Sequence, residues 1–547
     1  MSLTVKPIGC YVAQLLASYG LDTVFGIPGV HTLELYRGLT REPRLRHILT
    51  RHEQGAGFAA DGYARACGRP AAAYVISGPG LTNILTSVAQ ANSDSVPMVV
   101  VASTPVRSSL GRRWGVLHEL ADQHGVAKSV LDLVCTASCA EDIRDFLGMV
   151  FEEFRRGRPR PAYLGVPLDL LAETTTLIAE SQPSAVHAAS LPTADIARAV
   201  ALLSGAQRPL IIAGGGARAA TAELRRLVEA VDGFLVTTAA GKGVLPEAHR
   251  CNLGGSLPYG PTRRLLEHAD VVLAVGTEIS ETDTYAATKL TFPGPLIRID
   301  INSRLNDLYP AAIDIRSDAQ SVLDALALRV EQYARDQQAS RVPQRPGWCT
   351  RIGDATAIRA QIDVHLDSQS IRRRRGLEAI RAALPAGAAV FSDMTQIAYL
   401  GNYAFAMDRP GNWHHPSGYG TLGFALPAAL GAKLADPERA VIALAGDFGL
   451  QFTLGELATA VEHRLNVPVV LWNNSALGQI RDDMLAADIP SIGVVARNPD
   501  FLGLARAYGA QAVRSSSASQ LTAALTDALA LRGPTVIEVD ETDFSWD

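Results

Sequence analysis

Short apolar runs alternate along the whole chain with longer stretches in which apolar residues recur at helical spacing. Runs of this kind, continuous in Val, Ile, Leu and Ala, are Ala73–Ser77, Met98–Ala102, Ala162–Pro167, Leu210–Ala213, Val271–Val275, Val441–Ala445 and Val467–Trp472. Nearly continuous apolar strands that are separated by helices are typical of parallel sheets covered on both faces. The pattern therefore predicts an α/β protein with several doubly wound parallel sheets.

The length of the chain, 547 residues, is too great for one hydrophobic core and favours three domains. Polar, Ala/Ser-rich sequence around Glu180–Pro192 and an irregular stretch from about Gln332 to Arg375 are candidate linkers. The predicted domains are 1–180, 192–332 and 370–547. The basic run Arg372–Arg375 could bind an acidic partner or begin an exposed helix, and we favour the helix.

The composition is that of an ordinary folded protein, with 48% hydrophobic and 19% charged residues and a net charge of −5. Scattered positive charge favours neither nucleic acid nor an anionic membrane as a partner. The six cysteines have no convincing metal or redox spacing, so we expect reduced thiols in a cytoplasmic protein. The first residues predict an amphipathic helix without a cleavable signal pattern, and the apolar runs are too short to span a bilayer.

The most informative chemistry lies in VIALAGDFGLQFTLGELATAVEHRLNVPVVLWNN, which predicts a strand, a Gly-Asp turn, a helix and a second strand that ends in Asn-Asn. In a parallel sheet both turns emerge at the carboxyl edge, where ligands bind. Asp447 and Asn474 offer hard oxygen atoms that suit Mg²⁺, and Gly446 and Gly449 allow backbone amides to approach a phosphate. The alternative is a plain βαβ unit with a polar loop.

Two further segments strengthen the functional interpretation: RHEQGAGFAADGYAR near the N-terminus and SGYGTLGFALPAALGAK before the Gly-Asp turn. With these motifs, nearly the whole chain resembles the thiamine-diphosphate-dependent enzymes of the acetolactate synthase and 2-oxo acid decarboxylase family. The resemblance implies pyrimidine-binding, central and diphosphate-binding domains, and thiamine diphosphate and Mg²⁺ as cofactors.

By this resemblance, individual residues acquire expected roles. The metal ligands are Asp447, the Asn474 side chain and the Ala476 carbonyl. The residues that contact the cofactor are Gly29, Glu53, Asn83, Gln396, Gly420, Leu422, Gly446, Phe448, Gly449 and Asn474. Phe448 stands where the family more often has glycine, but it supplies a backbone amide either way. Leu422 is the bulky residue that bends the cofactor, and the Gly420 carbonyl accepts from the 4′-amino group.

Glu53 is the family's glutamate that contacts N1′ of the pyrimidine ring. In the family this residue acts on cofactor bound by the other subunit, so the resemblance implies a homodimer or homotetramer with active sites at the subunit interface. The central segment PLIIAGGGA is an incomplete dinucleotide fingerprint. Some relatives bind a flavin there, but we expect no FAD in this chain.

The substrate is expected to be a small 2-oxo acid. Gln479, Ile480 and Asp483 fall on pocket positions of acetolactate synthases, and Asp483 would attract a cationic tail, above all a guanidinium. Alternatively, Asp483 lies on a solvated helix face. His118 is also expected to contact the substrate. Either His118 or His31 could supply a proton to the product, because histidine donates near neutral pH.

Together these features resemble the 5-guanidino-2-oxopentanoate (2-ketoarginine) decarboxylases, which release 4-guanidinobutanal and CO2. The alternatives are an acetolactate-synthase-like carboligase and a flavin-dependent 2-oxo acid oxidase. A non-catalytic homologue would require the loss of Glu53, Asp447 or Asn474, and all three are present.

Overall fold

The computed structural model describes residues 5–180, 191–285, 290–302, 308–339 and 346–545. Two compact units can be separated. One comprises the described residues of Met1–Ala185 with Val390–Thr395 and Gly418–Ser545, and the other the described residues of Val186–Ala389 with Gln396–Ser417. Residues 181–190 and 340–345, which belong to the two predicted linkers, lie outside the described residues, and the three predicted domain boundaries stay predictions.

The N-terminal part of the first unit is built on a parallel sheet with the strand order β3–β2–β4–β5–β7–β6. Its strands, together with the small pair β1 and β8, are β1 (Lys6–Pro7), β2 (Thr23–Gly26), β3 (Arg46–Leu49), β4 (Ala71–Val75), β5 (Met98–Thr104), β6 (Leu133–Thr136), β7 (Ala162–Pro167) and β8 (Thr174–Thr175). Its helices are α1 (Ile8–Ser18), α2 (Leu33–Arg41), α3 (Glu53–Cys67), α4 (Pro79–Ser93), α5 (Gln123–Lys128), α6 (Ala140–Arg156) and α7 (Leu168–Ala172).

The second unit contains a parallel sheet with the order β10–β9–β11–β12–β13. The strands are β9 (Pro209–Ala213), β10 (Phe234–Thr237), β11 (Val271–Val275), β12 (Leu296–Asp300) and β13 (Ile313–Arg316). The helices are α8 (Thr193–Gly205), α9 (Thr221–Val231), α10 (Gly260–His268), α11 (Glu281–Thr284), α12 (Ala319–Ala339), α13 (Trp348–Ile352), α14 (Ala355–Asp363), α15 (Ser368–Ala383) and α16 (Gln396–Ala404).

The C-terminal part of the first unit has strands in the order β14–β16–β17–β19–β18, with β16, β17, β19 and β18 parallel. The strands of this region are β14 (Ala389–Ser392), β16 (Val441–Gly446), β17 (Pro468–Asn473), β18 (Gln511–Ser515) and β19 (Thr535–Asp540). The helices are α17 (Ala425–Ala435), α18 (Asp447–Phe452), α19 (Glu456–Glu462), α20 (Gly478–Ala486), α21 (Phe501–Tyr508) and α22 (Ala518–Ala530). The short strand β15 (Trp413–His414) belongs to the second unit.

The predicted fold class is confirmed, because three sheets of parallel strands alternate with helices and the inner strands of each sheet are buried, whereas the edge strands β3, β6, β13 and β18 are partly exposed. The predicted strands agree with the observed ones to within two residues. The single helix predicted after Asp447 is instead two helices, α18 and α19, interrupted at residues 453–455.

The interpretation of Gln332–Arg375 as irregular sequence is wrong for its described part. Helices α12 to α15 occupy most of this part, and Trp348 and Cys349 are buried in the core of the second unit. The basic run lies inside α15, where Arg373 is buried rather than exposed. Composition concealed these helices because α13 and α14 are short, with 5 and 9 residues, and the charged run Arg372–Arg375 interrupts the apolar pattern of α15.

Within the first unit, α3 crosses α17 at very short range. A side chain on Gly62 would overlap the carbonyl oxygen of Ala428, and one on Gly431 would overlap that of Ala59. Only glycine lets the two backbones approach this closely. The crossing thus joins the helix that begins with Glu53 to the helix that follows Leu422. Across the described residues, no helix is both long enough and apolar enough to cross a membrane.

Candidate functional site

The proposed metal ligands lie at the ends of two paired strands. Strands β16 and β17 run parallel with Gly446 opposite Trp472, so Asp447 and Asn474 follow at the same carboxyl edge. Asp447 is buried, and Asn474 is half-buried. A carboxylate and a carboxamide at one edge form the hard oxygen donor set that Mg²⁺ prefers, so these residues fit that ion.

Asp447 is held by a buried polar network. Nδ2 of Asn498 donates to Asp447 Oδ2 at 2.7 Å and to Asn473 Oδ1 at 2.9 Å. Burial raises the pKa of Asp447, and the Asn498 hydrogen bond opposes that rise. A divalent cation beside the carboxylate would likewise favour its charged form. Sequence reasoning missed Asn498, because it follows no strand and no motif marks it.

The turn after β16 is packed against a second buried carboxylate, Asp393. A side chain on Gly449 would overlap Asp393, so glycine is required at this position. Asp393 accepts hydrogen bonds from the amides of Met394 and Gly423, and burial raises its pKa to about 6. Asp393 directly follows strand β14, which is the signal that could have identified it. Phe448, the departure from the family pattern, is half-buried beside Asp447.

Leu422 lies in a loop bounded by two glycines with left-handed backbone conformation. Gly420 has φ of 70° and Gly423 has φ of 86°, values that favour glycine. The Gly423 carbonyl accepts from Thr453 Oγ1 at 2.9 Å. The loop therefore has a defined path on both sides of Leu422.

Glu53 is the first residue of α3, where a carboxylate interacts favourably with the helix dipole. The Asn83 side chain, on α4, donates from Nδ2 to Glu53 Oε2 at 2.9 Å. The turn before Glu53 is held by Glu456, a buried residue whose Oε1 accepts from the amides of Arg51 (2.9 Å) and His52 (3.1 Å). Sequence reasoning missed Glu456, which has no local signal because its partners lie far away in the chain.

His31 and His118 are brought together at the carboxyl edge of the N-terminal sheet. Their rings meet edge to face with centroids 4.9 Å apart, and His31 Nδ1 lies 2.5 Å from Ser77 Oγ. Burial and the neighbouring His118 lower the pKa of His31. His118 has φ of 62°, and within the described residues its Nδ1 is buried without a hydrogen-bond partner. Strain and an unsatisfied polar atom are features of functional sites.

The backbone next to these histidines is held by its own polar contacts. The Gly29 amide donates to Thr32 Oγ1 at 3.0 Å, and a side chain on Gly29 would press on Ile76. Gln123, which is buried, accepts from the Gly78 amide and donates to the Tyr163 hydroxyl. These residues shape the loops after β2 and β4.

Two acidic residues close to His118 in the chain, Glu119 and Asp122, have structural partners. Glu119 accepts from the amides of Trp114 and Gly115, and Asp122 caps α5 by accepting from the Gly125 amide at 2.8 Å. Both carboxylates thus stabilise the segment that carries His118.

Three of the four proposed substrate-binding residues lie on the first turns of α20, where Gln479, Ile480 and Asp483 are exposed. Nε2 of Gln479 donates to Asp483 Oδ1 at 3.0 Å. The neighbouring Asp482 is paired with Arg481. The exposed carboxylate of Asp483 is thus oriented by the uncharged side chain of Gln479.

In the second unit, Gln396 begins α16 and its Oε1 accepts from Arg373 Nη2 at 2.8 Å. Among the residues that the structure describes, one group of potential ligand atoms lies close enough together to hold a metal ion. It consists of Asp232, Cys251 and Cys349, also in this unit. Both Asp232 carboxylate oxygens already accept protein hydrogen bonds, from Arg250 and from the Thr350 amide.

Family models for the thiamine pyrophosphate enzymes match in three segments: the N-terminal TPP binding domain over residues 8–126, the central domain over 196–326 and the C-terminal TPP binding domain over 393–539. The chain belongs to the thiamine pyrophosphate enzyme family. Each matched segment lies inside one of the three predicted domains.

Among curated relatives, a probable 2-ketoarginine decarboxylase of Pseudomonas aeruginosa is 46% identical over 97% of this chain and 93% of its own length. The large subunit of acetolactate synthase isozyme 3 of Escherichia coli is 32% identical over 97% of this chain and 94% of its own. The large subunit of isozyme 1 from the same organism is 29% identical over 97% and 93%. The resemblance inferred from the motifs and the prediction of a thiamine-pyrophosphate-dependent enzyme are confirmed.

Proposed function

We propose that this chain is a thiamine-diphosphate- and Mg²⁺-dependent carboxy-lyase that converts 5-guanidino-2-oxopentanoate to 4-guanidinobutanal and CO2. The observation that carries the proposal is the 46% identity, over nearly the full length of both chains, to a probable 2-ketoarginine decarboxylase. The exposed carboxylate of Asp483 supports the choice of substrate, because a guanidinium can be bound by a carboxylate in a bidentate manner.

In this proposal, Asp447, Asn474 and the Ala476 carbonyl hold Mg²⁺, and the backbone of Gly446, Phe448 and Gly449 borders the diphosphate. When bound, thiamine diphosphate accepts the electron pair that the 2-oxo carbon gains as CO2 departs. The support is the shared strand edge of Asp447 and Asn474 and the close packing that glycine permits at Gly449.

Proton transfers are assigned to three side chains. Glu53 would exchange a proton with the pyrimidine ring of bound cofactor, and Asn83 sets the orientation of its carboxyl group. His118 or His31 donates the proton that the product carbon acquires. His31 is the weaker candidate, because its Nδ1 is engaged by Ser77 Oγ and its lowered pKa disfavours the protonated form.

We further propose a homodimer or homotetramer, in which Glu53 acts on cofactor bound by the partner subunit, and a cytoplasmic location. For the central sheet we propose that no FAD binds. The amides of Gly214 and Gly216 donate to the carbonyls of Val275 (2.9 Å) and Gly276 (3.0 Å), so they are already engaged within the chain. Purified protein should be colourless, and stoichiometric flavin would contradict this proposal.

The deciding experiment measures CO2 and aldehyde release from 2-oxo acids with cationic, apolar and acidic tails. We expect the highest kcat/KM for 5-guanidino-2-oxopentanoate and the lowest for the acidic tail. Equal use of all three classes would refute the substrate assignment.

A second candidate function, an acetolactate-synthase-like carboligase, is favoured by the 32% identity to an acetolactate synthase. The same assay with pyruvate separates the two functions. Acetolactate as the main product would replace our proposal with this alternative, whereas its absence alongside guanidinobutanal release would support our proposal.

A further inference from the structure

The loop that carries Gly420 and Leu422 is braced by helix α4 of the same chain. Gln90, fully buried near the end of α4, accepts hydrogen bonds at Oε1 from Thr421 Oγ1 (3.0 Å) and the Thr421 amide (3.4 Å). Thr421 separates Gly420 from Leu422 in the chain. A contact that holds Thr421 therefore also restricts the positions of both neighbours.

The orientation of the Gln90 amide is set by Asp94, the residue that ends α4. Nε2 of Gln90 donates to Asp94 Oδ2 at 2.9 Å, and an ionised carboxylate can only accept. Oε1 is therefore the atom that faces Thr421. The other oxygen of Asp94 accepts from the Gly418 amide at 2.7 Å, so Asp94 also holds the start of the loop directly.

Asp94 is itself fixed by a buried ion network. Arg65 donates from Nη2 to Asp94 at 2.7 Å and from Nε to Asp61 at 2.5 Å, and its guanidinium lies over the ring of Phe424. Burial alone would lower the pKa of Arg65, but Asp61 and Asp94 raise it, so the guanidinium stays charged. Charge-assisted hydrogen bonds away from water are strong and directional, and they make this brace rigid.

We propose that Gln90 and Asp94 are positioning residues that hold Gly420 and Leu422 against the ring portion of the cofactor. The inference rests on the proposed function, in which the Gly420 carbonyl and the Leu422 side chain contact that portion. Asn83, near the start of α4, orients Glu53. The inference gives the other end of this helix a second role, which is to hold the loop that carries Gly420 and Leu422.

The test compares the binding of the whole cofactor with the binding of its diphosphate portion alone. Titration calorimetry with Mg²⁺ would give the Kd of thiamine diphosphate, and inorganic pyrophosphate would serve as a competitor that reports the diphosphate portion alone. The variants are Gln90→Leu, Thr421→Val and their combination. Ser87→Ala is the matched control, because Ser87 is buried on the same helix and its hydroxyl, among the described residues, donates within that helix to the Ile84 carbonyl.

We expect Gln90→Leu and Thr421→Val each to weaken thiamine diphosphate binding roughly tenfold, the scale of one lost hydrogen bond. The double variant should be no weaker than the worse single variant, because both changes remove the same contact. The affinity for pyrophosphate should stay at the parent value in all three variants. In Ser87→Ala, the affinities for thiamine diphosphate and for pyrophosphate should both equal those of the parent.

The inference would be overturned if both single variants bound thiamine diphosphate as tightly as the parent does. It would also be overturned if the affinities for thiamine diphosphate and for pyrophosphate fell by the same factor. Should Gln90→Leu fail to fold, Thr421→Val, which changes one hydroxyl to a methyl group, decides the question alone. A parent protein that binds no thiamine diphosphate would instead refute the proposed function, and the two failures are thereby distinguished.

Discussion

Nδ2 of Asn83 lies 2.9 Å from Oε2 of Glu53 and donates a hydrogen bond to it. The bond joins the first turn of α4 to the first residue of α3. It restricts the orientation of the Glu53 carboxyl group, as the proton exchange proposed for this residue would require.

Replacement of Glu53 by Gln should lower kcat by roughly a hundredfold or more, the usual contribution of a general acid–base group. Asn83→Ala should have a smaller effect, about tenfold, because it removes only the orienting bond. Steady-state kinetics on 5-guanidino-2-oxopentanoate would measure both. Thr82→Ala, a change in the same turn of α4 at an exposed side chain, is the control and should retain parent kinetics.

Removal of the negative charge at Asp483 should lower discrimination between cationic and apolar 2-oxo acids. Asp483→Asn is expected to reduce kcat/KM for the guanidino substrate by roughly tenfold or more while sparing the apolar one, because the interaction lost is charge-assisted. Asp482→Asn is the neighbouring control, since Asp482 already pairs with Arg481. An unchanged ratio of the two kcat/KM values in Asp483→Asn would remove this residue from the substrate site.

Loss of Mg²⁺ should abolish thiamine diphosphate binding while the protein remains folded. Chelation of Mg²⁺, or the Asp447→Asn substitution, is expected to weaken thiamine diphosphate binding at least a hundredfold in calorimetry. The reason is that diphosphate oxygens would complete the coordination shell of the metal. Asp527→Asn, at an exposed position on α22, should bind normally. Tight binding in excess chelator would show that the edge of β16 and β17 is not a metal site.

Lys242 should make stability depend on pH in the alkaline range. It is 2% exposed, its Nζ donates to the carbonyls of Asn402 and Tyr403, and burial lowers its pKa to about 8. Between pH 8 and 10.5 the unfolded chain still binds this proton and the folded protein has released it, so stability rises with pH by about 1.4 kcal/mol per unit.

The comparison for Lys242 is with Lys242→Met, which lacks the titrating group. The difference in unfolding free energy, parent minus variant, should increase from pH 8 to pH 10 as measured by chemical denaturation. A difference that is constant over this range would mean that Lys242 is not titrating in the folded protein.

The crossing of α3 and α17 should tolerate no side chain at Gly62. Gly62→Ala is expected to cost about 3 kcal/mol or more, because the new methyl group overlaps the Ala428 carbonyl and must force two helices apart. Gly205→Ala, at the end of α8, should be neutral or slightly stabilising, because no described atom beyond its neighbours and its own helix backbone lies within 4 Å of the added carbon. Equal unfolding midpoints for the two variants would contradict the close approach.

The strands and the Gly-Asp and Asn-Asn turns were predictable from the sequence because their signals are local. A buried parallel strand is continuously apolar over its own length, and the residue that follows it must lie at the carboxyl edge. Asp447 and Asn474 could therefore be placed side by side from the order of strands alone, and Glu53 by the motif around it.

The braces around these residues were decided only by the tertiary structure. Glu456 holds the turn before Glu53, Gln90 holds Thr421, and Arg373 is buried against Gln396 inside a stretch whose composition indicated a linker. Each of these contacts joins side chains from different elements, and no periodicity in one segment records which distant segment folds against it. The sequence by itself indicated which groups are expected to do the chemistry, and the packing of helices against sheets decided what holds those groups in place.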